Sequence, residues 1–155
     1  MVFKIKGFFE VHLSVQNRLK SAEFYQKVLD CQVAAHIDKR DITFLWMNGK
    51  GNTMIGLWGP KCPDPPITRG MGHFAIQLSA KEVESAPQKL LQMGVTPLDF
   101  DGNPTNEAVV IGWMPAISVY FKDPDNNSLE FISMLKDAPR PDVGVVKLSE
   151  WRKGK

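Results

Sequence analysis

Val119-Tyr-Phe-Lys-Asp-Pro-Asp-Asn-Asn-Ser-Leu-Glu-Phe-Ile132 is the stretch that decides how the chain is read. It begins with β-branched and aromatic residues alternating with polar ones, the pattern of a half-buried strand. It breaks at Asp123-Pro124-Asp125-Asn126-Asn127, a dense turn signal, and resumes as a second apolar run. A β-hairpin follows. Glu130 stands between Leu129 and Phe131 in the returning strand, so if those two face the hydrophobic layer it points to the opposite face of the sheet. An exposed Glu on a solvent-facing strand is the simpler alternative, and the rest of the chain has to decide between the two.

Working outward from the hairpin, the chain reads as two copies of one unit. Residues 8–16 alternate as a strand, with Phe9, Val11, Leu13 and Val15 on one face and Glu10, His12, Ser14 and Gln16 on the other. Asn17 is placed to cap a helix from Arg18 to about Leu29, carrying an apolar stripe of Leu19, Ala22, Phe24, Val28 and Leu29. Strands are expected over Gln32 to His36, Ile42 to Met47 and Thr53 to Trp58, giving β-α-β-β-β. The proline-rich connector Gly59 to Pro66 cannot be a helix or a central strand, and marks a boundary. The pattern restarts at Gly72-His73-Phe74-Ala75-Ile76-Gln77-Leu78-Ser79. A helix over roughly Ala80 to Met93 comes next, with a break expected near Ser85 because Pro87 costs a helix interior about 3 kcal/mol. Gly94 is a natural stop. Val95 to Phe100 reads as a strand and Asp101 to Asn106 as a loop, and the hairpin completes the second set.

Residue identities support the duplication. Gln26-Lys27-Val28-Leu29 matches Gln88-Lys89-Leu90-Leu91 at an offset of 62 (88 − 26), and His12 is taken to match His73 at 61 (73 − 12). Met54 to Trp58 matches Ser128 to Ile132, which sets Gly56 against Glu130. The expected fold is therefore α+β: two tandem βαβββ modules forming a cupped, partly open mixed sheet with helices outside. The boundaries are a first module at 1–59, a linker at 60–71, a second module at 72–135 and a C-terminal tail at 136–155. The tail, apolar around Val143 to Leu148 and ending near Trp151, is expected over the cup mouth or on a second subunit. Modules paired about a pseudo-twofold axis would bring His12, His73 and Glu130 together as a two-histidine, one-carboxylate site for a divalent metal with open coordination positions.

The global numbers limit the alternatives. The chain has 155 residues, 43% hydrophobic and 23% charged, as ordinary globular proteins do. A net charge of +2 without a basic stripe implies no nucleic-acid partner, and no apolar run approaches the roughly 20 residues that span a bilayer. Met1 to Lys6 is too short and charged for a signal peptide, and Cys31 and Cys62 lack CxxC spacing, so a reduced, cytoplasmic setting is expected. A disulfide between them stays open at this point.

The tandem layout, His12, the helix segment Phe24-Tyr25-Gln26-Lys27-Val28-Leu29, the restart Met71-Gly72-His73 and the Tyr120-Phe121-Lys122-Asp123-Pro124-Asp125 hairpin ending in Glu130 resemble the vicinal oxygen chelate superfamily. The resemblance covers about residues 8–134 and takes in glyoxalase I, the fosfomycin-resistance thiol transferases, extradiol dioxygenases and bleomycin-resistance proteins. It implies two modules rolled around one divalent metal (Zn, Mn, Ni or Fe) held by His12, His73 and Glu130. It also implies chemistry by chelation of two neighbouring substrate oxygens, and a homodimer. Departures narrow the choice. Gly56 stands where glyoxalase I carries a second carboxylate, and Trp113 where extradiol dioxygenases carry a further histidine. The fosfomycin type matches best, with Ser14 and Tyr120 as substrate-binding residues and Glu130 and Tyr120 in the catalytic set. Trp46, Met54 and Trp58 are the pocket candidates, Met54 and Trp58 by parity with Gly56. The implied function is a lyase or transferase acting on a small oxygen-bearing molecule. A sequestering protein that binds a drug or metabolite, and a ring-cleaving dioxygenase, are the alternatives.

Overall fold

The computed structural model describes residues 8–63 and 72–153, in two compact units that meet in sequence at Gly72/His73. Asp64 to Pro66 of the connector, Met71 of the restart, Met1 to Lys6 and Lys155 lie outside the described residues.

In the first unit, strand β1 (Glu10–Ser14) leads to helix α1 (Arg18–Leu29), then β2 (Gln32–Ile37), β3 (Ile42–Met47) and β4 (Thr53–Trp58). The four strands form one mixed sheet in the order β1-β4-β3-β2, with β1 parallel to β4 and the other pairs antiparallel. The Asn17 side chain accepts from the backbone N–H groups of Leu19 and Lys20 and starts α1, and Asp30, at φ 53, ends it. Strand alternation puts Leu13, Leu45, Ile55 and Leu57 into the core with Ala22 and Tyr25 of the helix. The opposite face carries Glu10, His12, Ser14, Met54, Gly56, Trp58, Phe44 and Trp46.

The helix face differs from the expected stripe. Arg18, Ser21, Ala22 and Tyr25 are its buried residues, while Leu19 is 49% exposed. Arg18 takes the inner position because its charge is fully met: the guanidinium bonds Asp41 at 3.0 Å, Thr43 at 2.9 Å and Asp38. A buried cation with that many acceptors is tolerated where a bare one is not.

The second unit repeats the plan. It comprises β5 (His73–Gln77), α2 (Ala80–Gln92), β6 (Val109–Ile111), β7 (Ala116–Lys122), β8 (Ser128–Met134), β9 (Val145–Lys147) and α3 (Leu148–Lys153), with sheet order β5-β8-β7-β6-β9. Each unit thus contains βαβββ with a parallel strand pair at one edge of its sheet, the second unit adding β9 and α3, and the α+β class expected from the sequence is what the chain adopts.

Four local expectations give way to the structure. Pro87 sits inside an uninterrupted α2: a full capping box between Ser79 and Glu82, together with buried Val83, Ala86 and Leu90, offsets the missing N–H. Residues 95–100 are not a strand. Pro97 removes a donor, and Leu98 alone bridges Tyr120, exchanging bonds of 2.7 and 3.0 Å, before Asp99 turns the chain by accepting from the backbone of Asp101 and Asn103. The strand in that place is β6, at Val109–Ile111, beyond the loop expected over Asp101 to Asn106. The C-terminal stretch belongs to the second unit: β9 pairs with β6, and Trp151 of α3 is 1% exposed.

The last correction concerns the repeat. Glu10 lies opposite Met54 and His12 opposite Gly56, whereas His73 lies opposite Ser128 and Ala75 opposite Glu130. With Gly56 equivalent to Glu130, the first strands match at an offset of 63 (73 − 10). The counterpart of His73 is therefore Glu10, and that of His12 is Ala75. A slip of two residues leaves every side chain on its own face, so the hydrophobic pattern does not register it.

Both cysteines are free and buried, and burial followed by the charge of Asp30 pushes the Cys31 thiol up to about 11. Native protein is expected to release almost no thiolate to a disulfide reagent at neutral pH, and two equivalents after denaturation. Fast reaction of the native chain would contradict this burial.

Candidate metal centre

The hairpin holds the second unit's polar groups. The buried Asp123 carboxylate accepts from the backbone N–H of Asp125 (2.9 Å) and Asn127 (2.8 Å) and from the Asn127 amide (2.8 Å), which closes the turn. This sets β7 against β8 with Tyr120 opposite Glu130. Leu129 and Phe131 pack inward and Glu130 takes the other face, yet Glu130 is only 6% exposed. Its Oε1 accepts from the Ser118 hydroxyl at 2.6 Å, and the Tyr120 phenol also donates to the carboxylate.

Its Oε2 lies 3.4 Å from His73 Nε2. On the far side of that ring, Nδ1 is 3.1 Å from the Ser128 carbonyl. A carbonyl only accepts, so Nδ1 carries a proton, and in the neutral ring Nε2 turns its lone pair toward the carboxylate. An imidazole anchored through Nδ1–H to a backbone oxygen is the arrangement that suits a metal-binding histidine. His73 and Glu130 thus fit a divalent cation. Their side chains differ in access, 52% exposed for His73 against 7% for Glu130.

Burial first, and then the Glu130 charge and hydrogen bond, raise Tyr120 well above the ordinary phenol value, with only the Ser118 hydroxyl acting the other way. Tyr120 is therefore a lasting hydrogen-bond donor. Titration through the ordinary range near 10 is expected to leave its ring-carbon NMR signals unmoved. Replacement of Glu130 by Gln should lower its pKa by removing the charge and leaving burial. A Tyr120 pKa unchanged by that replacement would separate the two groups.

The first unit presents a different arrangement. Trp58 Nε1–H donates to His12 Nδ1 at 2.6 Å, and His12 Nε2 lies 3.3 Å from Glu10 Oε1. Phe44 stands edge-on to both rings, 6.1 Å from His12 and 6.4 Å from Trp58. Gly56 makes room: a Cβ there would lie 2.9 Å from His12 Nδ1 and 3.1 Å from Trp58 Nε1. An indole N–H is only a donor, so Nδ1 spends its lone pair on Trp58 and Nε2 carries the ring proton. Held this way, His12 has no lone pair for a metal.

Among the described residues of either unit, no three His, Cys, Asp or Glu side chains form a metal-holding group. Ser14 and Met54 are half-buried on the His12 face, as is Trp46, whose ring lies 6.4 Å from Phe9. Trp58 is 6% exposed, and Trp113 is 63% exposed. Sequence reasoning missed Ser118 and the Ser128 carbonyl. Ser118, two residues before Tyr120 on the same strand, carried the signal of a shared face.

The Glyoxalase/Bleomycin resistance protein/Dioxygenase superfamily model matches residues 7–131. The chain belongs to this superfamily. An integron cassette protein from the mobile metagenome of the Halifax Harbour sewage outfall is 32% identical, over 84% of this chain and 100% of that one, with a TM-score of 0.67. Lactoylglutathione lyase from Agrobacterium tumefaciens is 22% identical over 83% and 93% of the two chains, at a TM-score of 0.62. The oxidase ChaP-H2 is 14% identical over 90% and 100%, also at 0.62. The last two likenesses are of fold alone. As a superfamily member, the chain shares its fold with enzymes of more than one reaction type, so its own side chains must decide the chemistry. No described helix is long and apolar enough to cross a membrane.

Proposed function

We propose that this chain is a divalent-metal-dependent enzyme of the glyoxalase and fosfomycin-resistance type, a lyase or transferase acting on a small substrate with two neighbouring oxygens. The observation that carries the reading is the His73–Glu130 pair. The imidazole is fixed by Ser128 with its lone pair toward the carboxylate, and the carboxylate is fixed by Ser118. When bound, the cation supplies positive charge that stabilises an oxyanion on the chelated substrate.

The chain's own groups do the rest. Ser118 holds Glu130 in one rotamer, and Ser128 keeps the His73 proton on Nδ1. Tyr120, kept protonated beside the Glu130 carboxylate, acts as a hydrogen-bond donor at the site and not as a base. Gly56 supplies no carboxylate, and its crowded surroundings leave no room for one without moving His12 or Trp58. Proton abstraction of the glyoxalase I kind therefore lacks its usual base, which favours addition or transfer chemistry.

A second reading, a non-catalytic sequestering protein, draws on the aromatic face of the first unit, where Trp58, His12 and Phe44 rings lie 5.4 to 6.4 Å apart. The two are separated by metal. The enzyme reading expects close to one equivalent of Mn(II) or Zn(II) per chain by calorimetry, lost in His73→Ala. Full-strength binding of a small molecule by metal-free protein, with no response to either cation, favours sequestration.

A further inference from the structure

We propose that Phe100 is a specificity-determining residue of the second unit, and that the substrate carries an aromatic group beside its two neighbouring oxygens. This deepens the metal-dependent reading and rests on it for the oxygens.

A single exposed aromatic is ordinary on a protein surface. Phe100, 55% exposed, is set apart by what holds it and by what it faces. The chain around it is a closed turn. Leu98 exchanges two backbone bonds with Tyr120, and the Asp99 N–H donates to the Asn103 carbonyl at 2.8 Å. The Asp99 carboxylate accepts from the N–H groups of Asp101 and Asn103, at 3.0 and 2.8 Å. Gly102, at φ 84, donates to the Asp99 carbonyl at 3.1 Å. The backbone is thus tied on both sides of Phe100, so a ligand meeting the ring has no loop to order first.

Register fixes what the ring faces. Directly paired strand residues share a face of the sheet, which puts Leu98, Tyr120, Glu130 and Ala75 on one side. The Phe100 ring meets the Tyr120 ring edge to face, 6.1 Å between centroids at 77°. The Tyr120 ring in turn lies 6.4 Å from that of His73, at 32°. The order across the face is Phe100, then Tyr120, then His73 with Glu130. One end of this row offers cation-binding groups and the other offers only an apolar ring. Ala75, the residue opposite Glu130 on β5, is exposed and adds a single methyl group.

A ligand held by its oxygens at the His73–Glu130 end and lying over Tyr120 brings its remaining group against Phe100. An aromatic group gains an offset or edge-to-face ring contact there in addition to apolar burial, about tenfold in affinity over a methyl group. The chemical class that fits both ends is an aryl 2-hydroxy acid or aryl 2-hydroxyketone.

The test uses the full chain saturated with Mn(II), titrated by calorimetry with mandelate and with lactate. The two acids share the 2-hydroxycarboxylate and differ by a phenyl in place of a methyl group. The parent is expected to bind mandelate about tenfold more tightly. Phe100→Ala should bind the two acids alike, and Phe100→Trp should keep the preference. Mn(II) affinity should hold in both variants, because the cation's groups are His73 and Glu130. The proposal is overturned if the parent shows no preference, or if the preference survives Phe100→Ala. It is also overturned if Phe100→Ala splits an associated form of the chain on gel filtration, which assigns the ring to a contact between copies. If the parent binds no Mn(II), the metal-dependent reading itself fails. Phe100 is then decided separately: mandelate added to metal-free protein should shift the ring NMR signals of Phe100 and Tyr120, and unmoved signals end the proposal.

Discussion

Replacing Glu130 by Gln is expected to cut Mn(II) or Zn(II) affinity by about 100-fold or more, roughly 2.7 kcal/mol. The loss should be that large because Glu130 is a charge-bearing group in contact with its histidine partner, and even outer partners of metal ligands are worth about 10- to 100-fold. The metal-free protein should behave differently. Glu130 is 6% exposed, and a buried carboxylate carries a desolvation cost that its Ser118 and Tyr120 bonds only partly offset. The Gln amide oxygen still accepts from Ser118, and its N–H can meet the His73 lone pair. The melting temperature without metal should therefore be unchanged or higher, while the stabilisation added by saturating metal disappears. Calorimetric titration and thermal melts with and without Mn(II) read both effects. A variant that binds metal as the parent does would remove Glu130 from the site, and one that melts much lower without metal would make Glu130 structural.

That asymmetry is built from groups the sequence shows unequally. The hairpin was legible because its two signals, alternation and an Asp-Pro-Asp-Asn-Asn turn, are local and agree. The βαβββ duplication was legible for the same reason. The side of the sheet that Glu130 takes follows from its place between Leu129 and Phe131, but its burial depends on Ser118 across the ladder, a partner that no spacing in the chain announces. The pairing of His12 with His73 failed for a geometric reason: strands have a period of two, so a shift of two residues preserves the pattern from which register is inferred. Only the hydrogen-bonded ladder, with Glu10 opposite Met54 and His73 opposite Ser128, separates the alternatives. Pro87 misled in a similar way, since a propensity of about 3 kcal/mol was set against a capping box and an apolar face that act together. The short strands β6 and β9, three residues each, are below the length at which alternation can be read.

The C-terminal stretch yields the largest expected effect on stability. Trp151→Ala should destabilise the chain by about 3–5 kcal/mol, the range for emptying a buried aromatic site. Trp151 is 1% exposed, its Nε1–H donates to Asp137 at 2.7 Å, and the Arg140 guanidinium lies 3.6 Å over its ring and also bonds its backbone carbonyl. Removing the ring takes away apolar burial, the bond to Asp137 and a cation–π contact at once. Arg152→Ala is the informative control. Its paired bonds to Glu84, 2.7 and 2.8 Å, hold the same short helix but lie in solvent, so the loss should stay within about 1 kcal/mol. The two placements considered for this stretch differ in one observable. A segment lying on a second subunit makes the cost of Trp151→Ala depend on protein concentration, because subunit association is then part of the measured stability. A strand-and-helix extension of its own sheet, paired through Val110 and Val146, makes that cost independent of concentration. Denaturant unfolding of parent and variant over a hundredfold range of concentration is expected to give the same cost throughout, and a cost of Trp151→Ala that moves with concentration would return the segment to an intersubunit role.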